Sequence, residues 1–155
     1  MNINETSGAI IGAAMKVHTA LGPGLLERAY QVCLKQELTT RGFKVLSELA
    51  MPVVWEGVEV DIGYRLDLLV ENSIIVELKS VYELALIYRV QLLTYLRLSD
   101  KPLGLLLNFG KAHLRDGIVR IINSPSANPC DLSATSALKN TGSEQPQFFD
   151  DAKER

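Results

Sequence analysis

The chain has no apolar run approaching the roughly 20 residues that a membrane-spanning helix requires. Its start, Met1-Asn2-Ile3-Asn4-Glu5, lacks the basic-then-apolar order of a signal peptide. A cytoplasmic protein is the expectation. Cysteine is scarce: Cys33 falls in a helical pattern and Cys130 in a polar stretch, with no C-x-x-C spacing between them. This argues against a disulfide framework or a zinc site. There is no basic excess either. Sixteen Lys and Arg against eighteen Asp and Glu leave a formal charge of −2, so the chain lacks the global field of a protein that coats DNA, and any phosphate binding has to be local. A site that holds divalent cations brings its own positive charge to a phosphate, which weakens that objection.

What is present is the material of one ordinary globular domain. The chain has 155 residues, of which 47% are apolar and 22% charged, enough to bury a core without staples. From Asn4 to Ala20 the residues Ile10, Ile11, Ala14, Val17, His18 and Leu21 recur at helical spacing, and Leu21-Gly22-Pro23-Gly24 stops that helix. A second helix is predicted over 25–41, with Leu26, Ala29, Tyr30, Cys33, Leu34 and Leu38 as its stripe and Gly42 to end it. The period then shortens. Phe43–Leu46, Val53–Trp55 and Val58–Val60 read as short strands, some at an edge, with Pro52 and Gly57 between them. Tyr64–Val70 and Ile74–Val81 read as stronger strands joined by Glu71-Asn72-Ser73 into a hairpin. A third helix is predicted from Tyr82 to about Ser99. A buried strand over 103–109 and a short strand over 117–122 follow. These elements predict an α/β (α+β) fold with a central mixed sheet in residues 1–122. Residues 123–155 form a polar tail with too little apolar periodicity to build a core, expected to be disordered.

The hairpin carries the most information. Alternate residues of a strand share a face, so Glu77 and Lys79 project together, as do Arg65, Asp67 and Leu69. A turn centred on Asn72 sets Asp67 across from Glu77. Two carboxylates about 5 Å apart repel each other, and a divalent cation with hard oxygen ligands is the natural remedy. Lys79 then sits one pleat further on, where it can stabilise negative charge developing on a phosphodiester or orient the attacking hydroxide. The plainer alternative stays open: both carboxylates face solvent and Lys79 neutralises them. Glu27, near a helix N-terminus, has an equally plain reading as a dipole partner. Gln91 and Tyr95, one turn apart on the third helix, read as a polar edge of the core. Of the two histidines, His18 reads as a packed side chain, and His113 belongs with Lys111 and Arg115 to a solvated basic loop.

Gly24-Leu25-Leu26-Glu27-Arg28-Ala29-Tyr30 resembles the signature of the GxxExxY proteins, a family placed in the PD-(D/E)xK nuclease superfamily. Val17-His18, Leu21-Gly22-Pro23-Gly24, Gln91-Leu92-Leu93-Thr94-Tyr95-Leu96 and Asn108-Phe109-Gly110 are similar to that family as well, over a span from about Ile10 to Ile122. The resemblance implies a restriction-endonuclease-like core and a Mg2+- or Mn2+-dependent nuclease acting on DNA, with RNA second. It implies Asp67, Glu77 and Lys79 as the catalytic set, and Glu27, Gln91 and Tyr95 as further site residues. The implied metal set is Asp67, Glu77, Leu78 and Glu27. Leu66 stands where the motif has proline, and Tyr88 where the family favours histidine. The competing expectation, from a different class, is a catalytically silent domain of the same fold that binds nucleic acid or protein. A homodimer fits either expectation, since a domain this small gains a groove or a lid by pairing.

Overall fold

The computed structural model describes residues 2–60 and 64–124. The polar tail expected beyond Asn123, with Cys130, lies outside the described residues apart from Asn123 and Ser124. Helix α1, Ile3–Leu21, begins at a capping box: the Asn2 side chain accepts from the amides of Asn4 and Glu5, and the Glu5 carboxylate accepts from the Asn2 amide. Gly22, at a φ of 69°, ends the helix. Helix α2, Glu27–Thr40, packs against α1.

The chain then forms β1 (Val45–Ala50) and a separate two-stranded sheet of β2 (Val53–Trp55) and β3 (Val58–Val60). The hairpin β4 (Arg65–Val70) and β5 (Ile74–Lys79) follows, then α3 (Leu86–Leu98), β6 (Leu103–Asn108), a 3-10 turn (Leu114–Gly117) and β7 (Ile118–Ile122). The main sheet runs β1-β4-β5-β6-β7. All its neighbours are antiparallel except β5 and β6, which α3 joins in parallel. This is the mixed sheet flanked by helices that the sequence predicts.

The period-2 alternation divides the core into two. Leu68, Val70, Val76, Leu78, Leu105 and Leu107 pack with Ile10, Ala14, Leu34 and Leu38 of α1 and α2. Leu69, Ile75, Leu106 and Ile121 pack with Leu92, Leu93 and Leu96 of α3 on the opposite face. Strand β5 is central, and Ile74 to Leu78 are buried throughout, which is why its apolar run is broken only by Glu77.

The third helix starts later than the sequence suggests, at Leu86 instead of Tyr82, and β5 stops at Lys79 instead of Val81. The cause is Asn108, a fully buried amide at the end of β6. Its Oδ1 accepts from the Val81 amide at 3.0 Å and its Nδ2 donates to the Val81 carbonyl at 2.8 Å. With both main-chain groups of Val81 held by a side chain, neither ladder nor helix continues through it. Gly110 permits this approach, since a Cβ there would lie 2.5 Å from the Val81 oxygen and 2.8 Å from its nitrogen. Gly110→Ala is therefore expected to lower unfolding free energy by about 1–3 kcal/mol in urea titrations, because backbone on both sides has to shift.

Candidate active site

The pairs Leu68 with Val76, Leu69 with Ile75 and Val70 with Ile74 set the hairpin register. Continued by one step, that register would face Asp67 with Glu77. Backbone pairing stops short of it. Instead the Asp67 Oδ2 accepts the Leu78 amide at 2.8 Å. Pairing is interrupted on the other side of β4 too: β1 pairs Ser47 with Leu68 and Leu49 with Leu66, and skips Glu48 and Asp67 between them. Glu48 sits at a φ of 55°, a strained conformation for a side chain with a Cβ. The Asp67 carbonyl is satisfied by the Gln31 side-chain amide at 2.9 Å. Asp67 is thus held by side-chain and main-chain bonds from outside the regular ladders.

Glu77 and Lys79 share a face, and their side chains meet at 2.7 Å. Glu77 is 5% exposed, and its Oε2 is buried with no hydrogen-bond partner. Burial, helped by the Asp67 charge, outweighs Lys79 and pushes the Glu77 carboxyl up to about 7. The Asp67 carboxyl is also raised. Burial is the main cause and the charges of Glu27 and Glu48 add to it, against the Leu78 amide and Lys79. Burial pulls the Lys79 ammonium down, but the Glu77 carboxylate and the other acids more than compensate, so its net shift is upward and it stays charged. The ammonium also lies 5.2 Å from the Tyr88 ring centre, so the residue standing where the family favours histidine packs over the lysine.

Glu27 opens α2, in the first turn where the helix dipole favours an acid, and the N-cap Leu26 makes no side-chain capping bond. Its carboxylate also reaches across the fold to accept the Ser80 amide at 3.2 Å, just beyond β5, while the Ser80 hydroxyl donates to the Leu25 carbonyl at 2.7 Å. Tyr30 shapes the loop that delivers Glu27. Its hydroxyl donates to the Gly22 carbonyl at 2.6 Å and accepts from the Leu25 amide at 3.1 Å, with its ring stacked 4.4 Å from Phe109. Glu27, Asp67, Glu48, Gln31 and Arg28 line one cleft of about 610 Å³.

Gln91 and Tyr95 bond to each other at 2.5 Å, and not to the carboxylates. Burial raises the Tyr95 phenol, against the Gln91 bond, and the Glu77 charge contributes. Leu78 packs its side chain into the α1–α2 core and offers the site only its main chain. His18 is buried and holds the Lys111 carbonyl at 2.9 Å, a packed side chain as expected. Sequence reasoning missed Gln31 and Glu48. Gln31 donates to the Glu48 carboxylate as well as to Asp67 and accepts from Arg28, both at 2.6 Å. Its spacing of one helical turn from Glu27 is the signal by which it could have been found.

Among the described residues, no group of three His, Cys, Asp or Glu forms a ready metal cage. One oxygen each of Asp67, Glu77 and Glu27 is engaged, by Leu78, Lys79 and Ser80. The donor set nonetheless fits a hard divalent cation: it is all oxygen, two of its carboxyls are desolvated, and one buried carboxylate oxygen has no partner.

A family model described as the PD-(D/E)XK nuclease superfamily matches residues 4–121. The chain belongs to this superfamily. Neither the curated proteins nor the solved structures gave a match. Superfamily members are mostly nucleases, and they generally use divalent metals. Among the described residues no helix is long and apolar enough to cross a membrane.

A carboxyl whose folded-state value lies above its unfolded one costs stability when it ionises. With Glu77 moved from 4.5 to about 7, metal-free protein gains stability as pH falls from about 7 towards 4.5, and no more below that. Chemical denaturation at about pH 5.5 and about pH 8 is expected to differ by an extra ~2 kcal/mol relative to Glu77→Gln, which lacks this titration.

Proposed function

We propose that this chain is a Mg2+- or Mn2+-dependent phosphodiesterase that hydrolyses nucleic acid, DNA before RNA, through a domain spanning residues 1–122. The observation that carries the reading is the convergence of Asp67, Glu77 and Lys79 at the end of a buried hairpin, with Glu77 Oε2 left unpartnered. Within the superfamily, the Gly24-to-Tyr30 signature supports the GxxExxY family. Asp67, Glu77, the main chain of Leu78 and, from the helix, Glu27 would hold the cation. Bound there, the cation supplies a Lewis acid for a phosphoryl oxygen and a lowered pKa for water.

The chain's own residues contribute the remainder. Lys79 presents a largely buried cation beside the carboxylates, suited to an oxyanion or to orienting the attacking hydroxide. Tyr88, against its ammonium, limits how far that group can swing. The Gln91–Tyr95 pair lies on the flanking helix, where it supports the site. Leu66, in place of the motif's proline, is buried in the α3-side core and keeps β4 in line up to Asp67.

A second reading, a silent domain that only binds, draws on one specific observation: Asp67, Glu77 and Glu27 each already have an internal donor. Cleavage of linear, circular, single-stranded and double-stranded DNA and RNA with Mg2+ or Mn2+ separates the two. Metal-dependent products are expected, with losses of ~10²-fold or more in both Glu77→Gln and Lys79→Ala. Inactivity on every substrate, together with no metal uptake in calorimetry, would overturn the nuclease in favour of the binding domain.

A further inference from the structure

We propose that Tyr82 is a stacking platform for an unpaired base, which makes single-stranded nucleic acid, or a frayed strand end, the polymer that this site engages. The proposal rests on the nuclease reading and adds the form of its substrate.

Tyr82 follows Lys79 by three residues, so its Cα lies no more than about 11 Å from that of the lysine. Its side chain is 87% exposed, the most exposed large hydrophobic side chain among the described residues. An exposed ring on a loose loop would mean little. This one follows Val81, whose amide and carbonyl are both held by the buried Asn108 side chain. Asn108 Oδ1 also accepts from the Gly110 amide at 3.0 Å. The backbone that presents the ring is therefore held at the preceding residue, so a flat ligand settling on the ring need not order the loop as well.

A cation stands beside the ring. The Lys111 ammonium lies 5.4 Å from the Tyr82 ring centre and pairs with Glu83 at 3.0 Å. The Lys111 main chain is itself anchored, since its carbonyl accepts from His18 Nε2 at 2.9 Å. An exposed aromatic on a held backbone with an adjacent cation is the combination that sequence-tolerant single-strand sites use, because every base offers a π-face. Across the loop, Leu26 is 82% exposed, so the same end of the molecule presents a second apolar side chain.

The charge distribution favours bases over phosphates as the main source of affinity. Duplex binding draws on rows of free cations along the backbone. Here three cations around this end of the molecule are already paired, Arg28 with Glu48 at 2.6 Å, Lys79 with Glu77 at 2.7 Å and Lys111 with Glu83, and Arg65 donates to the Glu48 carbonyl at 3.3 Å. With a net charge of −2 there is no wider field to replace them. Bases inside a duplex are stacked on one another and cannot reach an isolated ring, whereas an unpaired base can.

The test uses fluorescence anisotropy with Glu77→Gln protein and Mg2+, so that binding is read without cleavage. The probes are a labelled oligothymidylate of about ten nucleotides, the same strand with abasic sites, and a blunt duplex of equal length. The single strand is expected to bind best. Tyr82→Ala should weaken it by about 5- to 100-fold and Tyr82→Phe should retain it, while the abasic strand should bind parent protein no better than the intact strand binds Tyr82→Ala. Unchanged binding in Tyr82→Ala, or equal binding of intact and abasic strands, overturns the platform and is the result expected if Tyr82 docks a protein instead. Cleavage assays on the unsubstituted chain keep the two readings apart. Tyr82-dependent strand binding by a chain that cleaves nothing would sink the nuclease and leave the platform. Cleavage and binding that are both indifferent to Tyr82→Ala would sink the platform alone.

Discussion

The hydrogen bond from the Leu78 amide to the Asp67 carboxylate decides how the centre of the sheet ends. An amide in a buried strand has to find an acceptor, and a neighbouring strand ordinarily supplies a carbonyl. Here an aspartate side chain takes that place, so the two strands need not stay paired beyond Leu68 and Val76. The gap opens beside Glu77, and the two carboxylates and Lys79 meet where the apolar ladder stops. On the far side of β4, at the matching gap, Gln31 bonds both the Asp67 carbonyl and the Glu48 carboxylate, and Arg28 bonds Gln31 and Glu48 in turn. The polar constellation therefore exists because the sheet is interrupted on both edges of one strand at one position.

This explains why so much burial is tolerated around charge. Glu77 is surrounded by the α3-side core and by Lys79, and burial shifts its proton affinity upward despite the lysine. A buried ion pair with an unsatisfied oxygen is poor value for stability and is easier to understand as a site than as a brace. The signature tyrosine has the opposite character. Tyr30 is fully buried, stacked on Phe109 and bonded to the Gly22–Leu25 loop, so it shapes the backbone that carries Glu27.

The hairpin was legible in the sequence because its information is local. A three-residue polar turn and a two-residue period suffice to place Asp67 near Glu77, and Glu77 on the face of Lys79. The same holds for the two helices before the first strand and for the buried run 103–108. What could not be read depends on partners far apart in the chain. Tyr82 to Ala85 carry apolar residues that continue a helical stripe, but Asn108, 27 residues after Val81, captures the backbone there. Glu48 looks like an ordinary strand residue until its φ and its bond to Gln31 are known. No spacing rule reports a side chain that replaces a strand.

Strand β5 lies in the middle of the five-stranded sheet, hydrogen-bonded on both sides and covered on both faces. Amides in such a position exchange with solvent only when the whole domain opens, whereas helix ends and outer strands open by local fluctuation. Ile74 to Val76 therefore belong to the last part of the molecule to come apart, with Glu77 and Leu78, paired to β6 and tied to Asp67 through the Leu78 amide, directly after them, while the Gly22–Leu26 loop sits at the surface. The hairpin residues of the constellation are thus tied to the global unfolding of the chain, whereas Glu27 arrives at a helix end beside a surface loop, where opening is local.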